Sequence, residues 1–310
     1  MFSGGGSGTI SDNDPMFDLH RLRLLRELSQ RGTLAAVAQA LNYSPSSVSQ
    51  QLSLLETEVG VPLLEPVGRR VRLTPQAEIL VRHTEEVLAR LEQAESEVAA
   101  SLHEITGTLR VATFQTAALA LIPETLARMR DEHPSLRIEF QVLDPAEALS
   151  GLNARDFDLV FLEEWPDQPE PRFAGLEYRE LYRDPIRLAV PRGLSMAEIG
   201  SQPWIMEPAG YPQRTYNVNW CRRNGYEPDV RFSSTDVLVK LRFVERGLAV
   251  SLLPDLVWYE REVTVDLHEL PVSQSRLLFT AARAGRGQHP AVQAFREALA
   301  LSVALLQPQR

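Results

Sequence analysis

A run of short polar side chains follows residue 45, on a segment whose apolar residues recur at helical spacing. Val48, Leu52 and Leu55 can pack inward from one face of a helix. The positions that remain outward are polar: Ser46, Ser47, Ser49, Gln50, Gln51 and Ser53. Hydroxyls and amides bind base edges and phosphates, whereas a solvated helix face usually carries Glu and Lys. This face therefore predicts a helix that reads DNA bases.

Two shorter helices precede this recognition helix. Leucines at helical spacing predict the first helix over 19–30, ended by Gly32. Thr33 is placed to cap a second, Ala-rich helix over 34–41. After a turn at Asn42-Tyr43, Ser44 caps the third helix, which Pro45 opens and which runs to about Val59. Two short helices joined by a tight turn form the frame of a helix-turn-helix.

A basic hairpin is predicted directly after the recognition helix. Residues 63–73 have the pattern of two short strands, with Gly68-Arg69-Arg70 at the tip and Arg72 behind it. Basic wing tips normally contact the DNA backbone or the minor groove. The sequence thus predicts a winged helix-turn-helix domain over 16–74, the alternative being a polar helical subdomain with a solvated loop. The candidate DNA-binding residues are Thr33, Ala35, Ser44, Ser46, Ser47, Ser49, Gln50, Gln51, Ser53, Arg69, Arg70 and Arg72.

The charge is distributed unevenly along the chain. The net charge of −9 argues against a protein covered in basic surface. Over 16–74, however, seven arginines outnumber five acidic residues, whereas over 75–105 two arginines face seven glutamates. A mildly basic head before an acidic helix indicates where the DNA-binding surface lies.

Length and composition predict a cytoplasmic protein of two or three domains. The chain has 310 residues, of which 44% are apolar, and no run approaches the ~18 apolar residues of a membrane-spanning helix. Residues 1–15 are Gly/Ser-rich and lack the features of a secretory signal, so we expect a disordered leader. The lone Cys221 excludes an internal disulfide. Arg222 and Arg223 follow it, but neighbours in sequence need not be in contact, and we expect this thiol to be incidental to function.

A long helical pattern begins at Pro75 and continues to Gly107. Residues Leu80, Val87, Ala94 and Ser101 step by seven, as do Thr84, Leu91, Val98 and Ile105. Such a seam predicts pairing with a second copy of the helix, which would hold two DNA-reading heads at a fixed spacing. The alternative is that the helix packs on its own C-terminal domain. Candidate dimerisation residues in this 75–106 linker are Leu80, Val87, Leu91, Ala94 and Val98.

Strands alternate with helices from Gly107 onward. Strands are predicted over 109–113, 136–143, 159–162, 186–190 and 204–206. An amphipathic helix is predicted over 119–130, a second helix over 235–246 and a final apolar helix over 290–306. Such alternation predicts an α/β fold, and open sheets of this kind bind ligands beyond their strand ends.

These segments together resemble the LysR-type transcription regulators. The similarity is carried by the stretches 33–41 and 44–52, by Leu55-Glu56, by the arginine wing and by Leu73-Thr74-Pro75. Further along, 157–160 and 244–254 are similar to the effector domain of that family. The resemblance implies an operator-binding homodimer, commonly within a tetramer. It also implies a two-lobed effector domain over 107–310, similar to a periplasmic binding protein, with lobe one over 107–183 and 264–310 and lobe two over 184–263.

An effector is expected between the two lobes. Residues 113–116 follow the first strand and precede a helix, whose free N–H groups favour an anion. Aromatic residues along the crevice would favour an organic or aromatic acid, although Phe161 and Trp204 can equally be core residues. The candidate effector-binding residues are Thr113, Phe114, Gln115, Thr116, Phe161, Trp204 and Tyr211.

A catalytic function finds little support in the sequence. The six histidines are scattered, and neither a phosphate-cradling glycine loop nor a Gly-x-Ser-x-Gly elbow is present. Asp156 and Asp158 are more typical of a structural turn than of an acid/base pair. We therefore predict no enzyme, catalytic residue, metal or cofactor. The alternative is a solute-binding protein or a small-substrate enzyme whose N-terminal helices only support dimerisation.

Overall fold

The computed structural model describes residues 17–68, 70–169, 171–270 and 274–306, with the backbone alone at Arg70. The predicted leader and Arg69 lie outside the described residues. The chain divides into two compact units, one ending at Arg90 and the other beginning at Leu91.

Three helices, a hairpin and the first part of the helix that follows form the described part of the first unit. Helix α1 spans Leu19–Arg31, α2 Leu34–Leu41 and α3 Pro45–Val59, all three close to their predicted bounds. The side chains of Asp18, Thr33 and Ser44 accept hydrogen bonds from backbone N–H groups that each helix leaves unpaired in its first turn. Gly32 and Gly60 end α1 and α3 in the left-handed conformation, which glycine adopts without steric cost.

The apolar faces of the three helices enclose one small core. Strands β1 (Leu64–Val67) and β2 (Arg70–Leu73) pair as the predicted antiparallel wing. The buried apolar residues of this core are Leu24, Leu25, Leu28, Val37, Ala38, Val48, Leu52, Leu55, Leu63 and Ala77. The predicted inward face of α3 is thus confirmed.

Helix α4 spans Pro75–Ala100 and belongs in part to each unit. The prediction that it continues to Gly107 was wrong, and Ser101 and Ile105 lie beyond its end. The N–H groups of Ser101 and Leu102 bond three residues back, to Val98 and Ala99, which tightens the chain into a turn. The heptad pattern therefore overestimates the length of the helix by about two turns.

Nine strands and seven further α-helices make up most of the described part of the second unit. The strands are β3 (Gly107–Thr113), β4 (Leu136–Val142), β5 (Leu159–Glu164), β6 (Leu176–Val190), β7 (Pro203–Met206), β8 (Asp229–Ser233), β9 (Ser251–Pro254), β10 (Asp266–Glu269) and β11 (Ser275–Arg283). The helices are α5 (Gln115–Ala120), α6 (Ile122–Glu132), α7 (Pro145–Asn153), α8 (Pro212–Arg223), α9 (Val237–Glu245), α10 (Ala284–Gly287) and α11 (Pro290–Leu305). The single helix predicted over 119–130 is two helices, because Pro123 cannot donate the backbone hydrogen bond that would continue α5.

The sheet order is β10-β6-β11-β5-β3-β4, with β9 also paired to β6. Strand β3 is parallel to β4 and β5, whereas β11 is antiparallel to both β5 and β6. Strands β7 and β8 form a separate parallel pair. These strands and their flanking helices give the predicted α/β architecture.

Strand β6 carries the chain from lobe one to lobe two. Its residues 176–185 pair with β11, and its residues 186–190 pair with β9 and β10. The crossing therefore falls beside Asp184. The predicted return at Thr264 is too early, because β10 still pairs with the second half of β6, and the chain returns only at β11.

Candidate functional site

The outer face of α3 is polar and exposed. Val48, Leu52 and Leu55 are buried beneath it, at 1% exposure or less. Gln51 is half-buried, and its Oε1 accepts a hydrogen bond from Arg21 Nε at 3.1 Å. The remaining predicted residues of this helix are exposed: Ser46, Ser47, Ser49, Gln50 and Ser53. The fold thus leaves hydroxyl and amide groups available along one side of the helix.

Hydroxyls gather at the start of α3. Ser44 Oγ lies 2.9 Å from Ser46 Oγ and 2.8 Å from Ser47 Oγ, and it accepts from the Ser47 N–H at 3.1 Å. Thr33 caps α2 in the same way, and Ala35 is exposed on the first turn of that helix. These contacts give Ser44 and Thr33 a structural role in addition to the predicted contact with DNA.

The wing carries an exposed arginine. Arg72 is exposed and pairs with Glu65 across the hairpin at 2.7 Å. Arg69 and the side chain of Arg70 lie outside the described residues. Solvent screening makes an exposed pair such as Arg72–Glu65 weak, so a phosphate can compete for this guanidinium.

A cavity of about 400 Å³ opens between the two lobes of the second unit. Four of the seven predicted effector residues line it: Phe114, Gln115, Thr116 and Tyr211. Lobe one also contributes α7 and β5, and lobe two contributes the starts of α8 and α9. The further lining residues include Val142, Leu143, Asp144, Pro145, Glu147, Glu163, Trp165, Glu207, Gln213, Thr235, Asp236, Val237, Lys240, Pro254 and Arg276.

Three predicted effector residues do not line the cavity. Thr113 is fully buried on β3, and Phe161 is fully buried in the core of lobe one. Trp204 is fully buried in the core of lobe two, where it packs against Trp220 and Tyr226. Inward-facing positions on strands serve the core, so the fold supports the interpretation of Phe161 and Trp204 as core residues.

Arg276 is the charged centre of the cavity, and it was not predicted from the sequence. Its Nη2 donates to Asp184 Oδ2 and to Thr116 Oγ1, both at 2.6 Å, and its Nη1 donates to Glu163. All four side chains are buried. Burial raises the pKa of Asp184 to about 6, although the Arg276 charge, its hydrogen bonds and the Leu256 N–H act against this. One buried guanidinium thus holds two buried carboxylates.

The second cation of the cavity is also paired. Lys240, on α9, forms a buried ion pair with Glu207, which follows β7. Asn217 donates to the other carboxylate oxygen of Glu207 at 3.4 Å, and Arg214 donates to its backbone carbonyl at 3.0 Å. Lys240 and Glu207 therefore offset each other in charge.

Three further carboxylates line the cavity outside these buried ion pairs: Asp144, Glu147 and Asp236. Asp236 caps α9 and accepts from Gln115 Nε2 at 2.9 Å. Burial raises the pKa of Asp236, but the hydrogen bond from Gln115, the N–H groups of α9 and the charge of Lys240 together hold the pKa below its ordinary value. Asp144 caps α7, and its charge raises the pKa of Tyr211 on the facing lobe. Glu147 follows on the exposed first turn of α7.

The cavity is acidic overall. Among the described lining residues, five carboxylates face two cations, and both cations are already paired. A purely anionic molecule is repelled by such a site, whereas a positively charged group is attracted.

An apolar stripe of α4 is open to solvent. Val87, Leu91 and Val98 are 45%, 42% and 64% exposed, and Ala94 is exposed between them. Leu80, in contrast, is half-buried against the core of the first unit. Four of the five predicted dimerisation residues are therefore available to a partner.

Cys221 is fully buried at the end of α8. Burial raises the pKa of its thiol to about 12, which keeps it protonated and unreactive at neutral pH. Within the described part of the chain, no group of three or more His, Cys, Asp or Glu side chains could hold a metal ion. None of the described helices is long and apolar enough to cross a membrane.

A polar recognition helix with a wing, a long connecting helix and a two-lobed domain around a cavity define a DNA-binding regulator with a separate effector domain. Two family models cover most of the chain. Residues 19–78 match the bacterial regulatory helix-turn-helix protein of the lysR family, and residues 102–302 match the LysR substrate binding domain. The chain therefore belongs to the LysR family of transcription regulators, which are DNA-binding proteins and not enzymes.

Two relatives and one solved structure illustrate the similarity. The transcriptional dual regulator GltC of Bacillus subtilis is 23% identical over 251 residues, which is 78% of this chain and 82% of GltC. The regulator IlvY of Escherichia coli is 26% identical over 77% of this chain and 82% of IlvY. A full-length variant of OxyR from Pseudomonas aeruginosa superposes with a TM-score of 0.68 at 19% identity, over 95% of this chain and 99% of that one, which shows a shared fold.

Proposed function

We propose that this regulator responds to a small organic acid that also carries an amino or guanidino group, bound in the cavity between the lobes. The observation that carries the proposal is the charge of the cavity, in which five carboxylates surround two paired cations. The protein would act in the cytoplasm, at its operator DNA.

The acid group has one strong partner in the cavity. The Arg276 guanidinium can form the two-pronged hydrogen bonds that suit a carboxylate, and Thr116 beside it adds a hydroxyl. A ligand carboxylate would have to compete with Glu163 and Asp184 for this group. Because the pKa of Asp184 is raised to about 6, this carboxyl is more easily protonated than an ordinary aspartate, which eases the exchange.

The positive group has three partners. Asp144, Glu147 and Asp236 line the cavity and form no ion pair with Lys240 or Arg276, whose partners are Glu207, Glu163 and Asp184. An acid without a compensating positive charge would enter a site with an excess of negative charge. Phe114, Trp165 and Tyr211 supply aromatic surface, so the predicted aromatic acid remains a candidate when it also carries an amine.

Four small ligands separate these classes in a thermal-shift experiment. Succinate carries two carboxylates, 4-aminobutyrate one carboxylate and one amine, and butylamine one amine, while benzoate tests an aromatic acid. At 100 times its Kd a ligand stabilises the folded state by about 2.7 kcal/mol, which raises the Tm of a domain of this size by about 5–10 °C. We expect 4-aminobutyrate to raise the Tm most.

The variant D236N provides a matched test of the charge. Asn caps a helix about as well as Asp, so the substitution keeps α9 and removes only the negative charge. We expect it to reduce the response to 4-aminobutyrate and to improve the response to succinate. Stabilisation by succinate or benzoate but not by 4-aminobutyrate, in the unmodified protein, would contradict the proposed amine.

The DNA-binding residues remain those of the α3 face and the wing. We propose that the exposed residues Ser46, Ser47, Ser49, Gln50 and Ser53 reach base edges. The wing arginines would contact phosphates, as the exposed Arg72 is placed to do. Two copies would pair through the open stripe of α4 and present two such heads to a two-part operator. Band-shift titrations of promoter fragments at 50 and 200 mM salt test this, because phosphate contacts make affinity fall steeply with salt. A salt-independent affinity would contradict the proposed phosphate contacts.

A further inference from the structure

Strand β11 carries two buried arginines, one near each end. Arg276 is its second residue and lines the effector cavity, and Arg283 is its last. The two side chains are 3% and 7% exposed. Seven residues of strand separate their Cα atoms by about 23 Å. The strand therefore connects two buried charged clusters that are far apart.

Arg283 binds the C-terminal part of α4. Its Nε donates to Glu92 at 2.8 Å, and its Nη1 donates to the carbonyl oxygens of Leu152 and Phe157 at 2.7 and 2.6 Å. Glu92 lies on α4 and forms a second ion pair with Arg155. The helix is thus held to the effector domain by a carboxylate between two guanidinium groups.

A second contact supports this attachment. Ser96, one turn after Glu92, is 2% exposed and donates through Oγ to the Gly285 carbonyl at 2.9 Å. Gly285 lies in α10, which directly follows Arg283. Asp158 joins the same cluster through Arg286 at 3.0 Å and Arg283 at 3.7 Å. Apart from the Glu92–Arg155 pair, these contacts of α4 are made with the end of β11 and the residues after it.

The pairing of β11 with β6 is irregular between the two arginines. On one side β11 pairs with β5, and on the other with β6, where the register shifts between Leu278 and Phe279. The extra residue at this shift, Leu181, lies on β6, so β11 itself continues from Arg276 to Arg283 without an inserted residue. The rest of the strand is buried and closely packed. Because packed interiors transmit strain, a displacement at one end of the strand also moves the other end.

We propose that β11 couples the effector cavity to α4: a change of partners at Arg276 alters how firmly Arg283 holds Glu92. This inference rests on the proposed role of the cavity as the effector site. A ligand carboxylate that draws Arg276 away from Glu163 or Asp184 shifts the start of β11, and the continuous, packed strand carries the shift to Arg283. Since α4 continues into the DNA-binding unit, its hold on the effector domain is where the signal leaves that domain.

Hydrogen exchange of the unliganded full-length protein, read by mass spectrometry, tests this coupling without a known effector. The variant E163Q removes one charged partner of Arg276, and E207Q removes a carboxylate of the same cavity that contacts Lys240 and not β11. We expect E163Q to change exchange over residues 91–100 by about fivefold or more, the low end of typical coupling between sites. E207Q should leave that segment within twofold of the unmodified protein.

Two further variants complete the test. T116V removes the hydroxyl that accepts a hydrogen bond from Arg276, with little change in side-chain volume. It tests the coupling in place of E163Q if E163Q does not fold. Because coupling is reciprocal, E92Q should change exchange over residues 115–120 at the cavity. Unchanged exchange over 91–100 in both E163Q and T116V, or an equal change in E207Q, would overturn the proposal. These results do not depend on ligand or DNA, so a failure of the proposed function would show separately, as the absence of a thermal shift or of operator binding.

Discussion

Replacement of Arg276 by methionine tests the charged centre of the cavity. Methionine keeps much of the side-chain volume and removes the guanidinium between Glu163 and Asp184. Loss of one partner of a buried ion pair typically destabilises a protein by about 3–5 kcal/mol. For a domain of about this size, 1 kcal/mol lowers the Tm by about 2–4 °C, so R276M should lose about 6–20 °C at pH 7.5.

The loss should depend on pH in a direction set by Asp184. Its carboxyl has a pKa of about 6 in the folded protein against an ordinary 3.8, so the folded state favours the protonated form. A pKa difference of about two units corresponds to ~3 kcal/mol. This contribution to the stability of the folded state is present below about pH 4 and is lost as the pH rises towards 6. Without Arg276 the pKa of Asp184 rises further, because the attraction that lowers it is gone. The deficit of R276M relative to the unmodified protein should therefore be large at pH 7.5 and smaller at pH 5.

Thermal unfolding of both proteins, followed by circular dichroism at pH 5, 6 and 7.5, measures this difference. The variant R276K keeps the charge but not the paired hydrogen bonds, so it should lose less stability and show a weaker dependence on pH. A deficit of R276M that is the same at all three pH values would refute the reasoning, because it would trace the loss to packing and not to the buried carboxylates.

Three further predictions concern DNA binding, assembly and the thiol. Q50A should weaken binding to a specific operator by roughly 1–3 kcal/mol and relax the sequence preference, whereas R70A should weaken binding about equally on all sequences and reduce its salt dependence. Band shifts on specific and random DNA distinguish the two variants, and equal, salt-independent losses in both would contradict this division of roles. L91E places a charge in the exposed stripe of α4, so light scattering after size exclusion should show that the subunits dissociate. H83E is the control on the same helix, and an unchanged mass of L91E would contradict the prediction. C221S should bind DNA as the unmodified protein does, with and without peroxide, because burial raises the pKa of the thiol to about 12; a peroxide response that C221S lacks would make Cys221 a sensor.

The sequence by itself determined the DNA-binding unit almost completely. Helices α1 to α3 and the wing depend on contacts close in sequence: caps at Thr33 and Ser44, a stop at Gly60 and an apolar spacing that repeats every turn. The same local rules identified the polar face of α3, because its inward residues were recognisable from their spacing. The end of α4 could not be predicted in the same way, since the heptad pattern continues past the turn that begins at Ser101.

The effector cavity was decided by the tertiary structure. Glu163, Glu207 and Arg276 belong to three separate strands or their ends, and only the pairing of β11 with β5 and β6 brings Arg276 against Glu163 and Asp184. Strand β11 escaped prediction, although an apolar run between two arginines is a signal of a buried strand with charged ends. Phe161 and Trp204 were predicted to contact the effector but are core residues. Residue type alone does not distinguish an aromatic residue in a core from one that lines a crevice. Local spacing specifies a helix and its faces, whereas Arg276 and its partners Glu163 and Asp184 are about a hundred positions apart and become neighbours only when the sheet has formed.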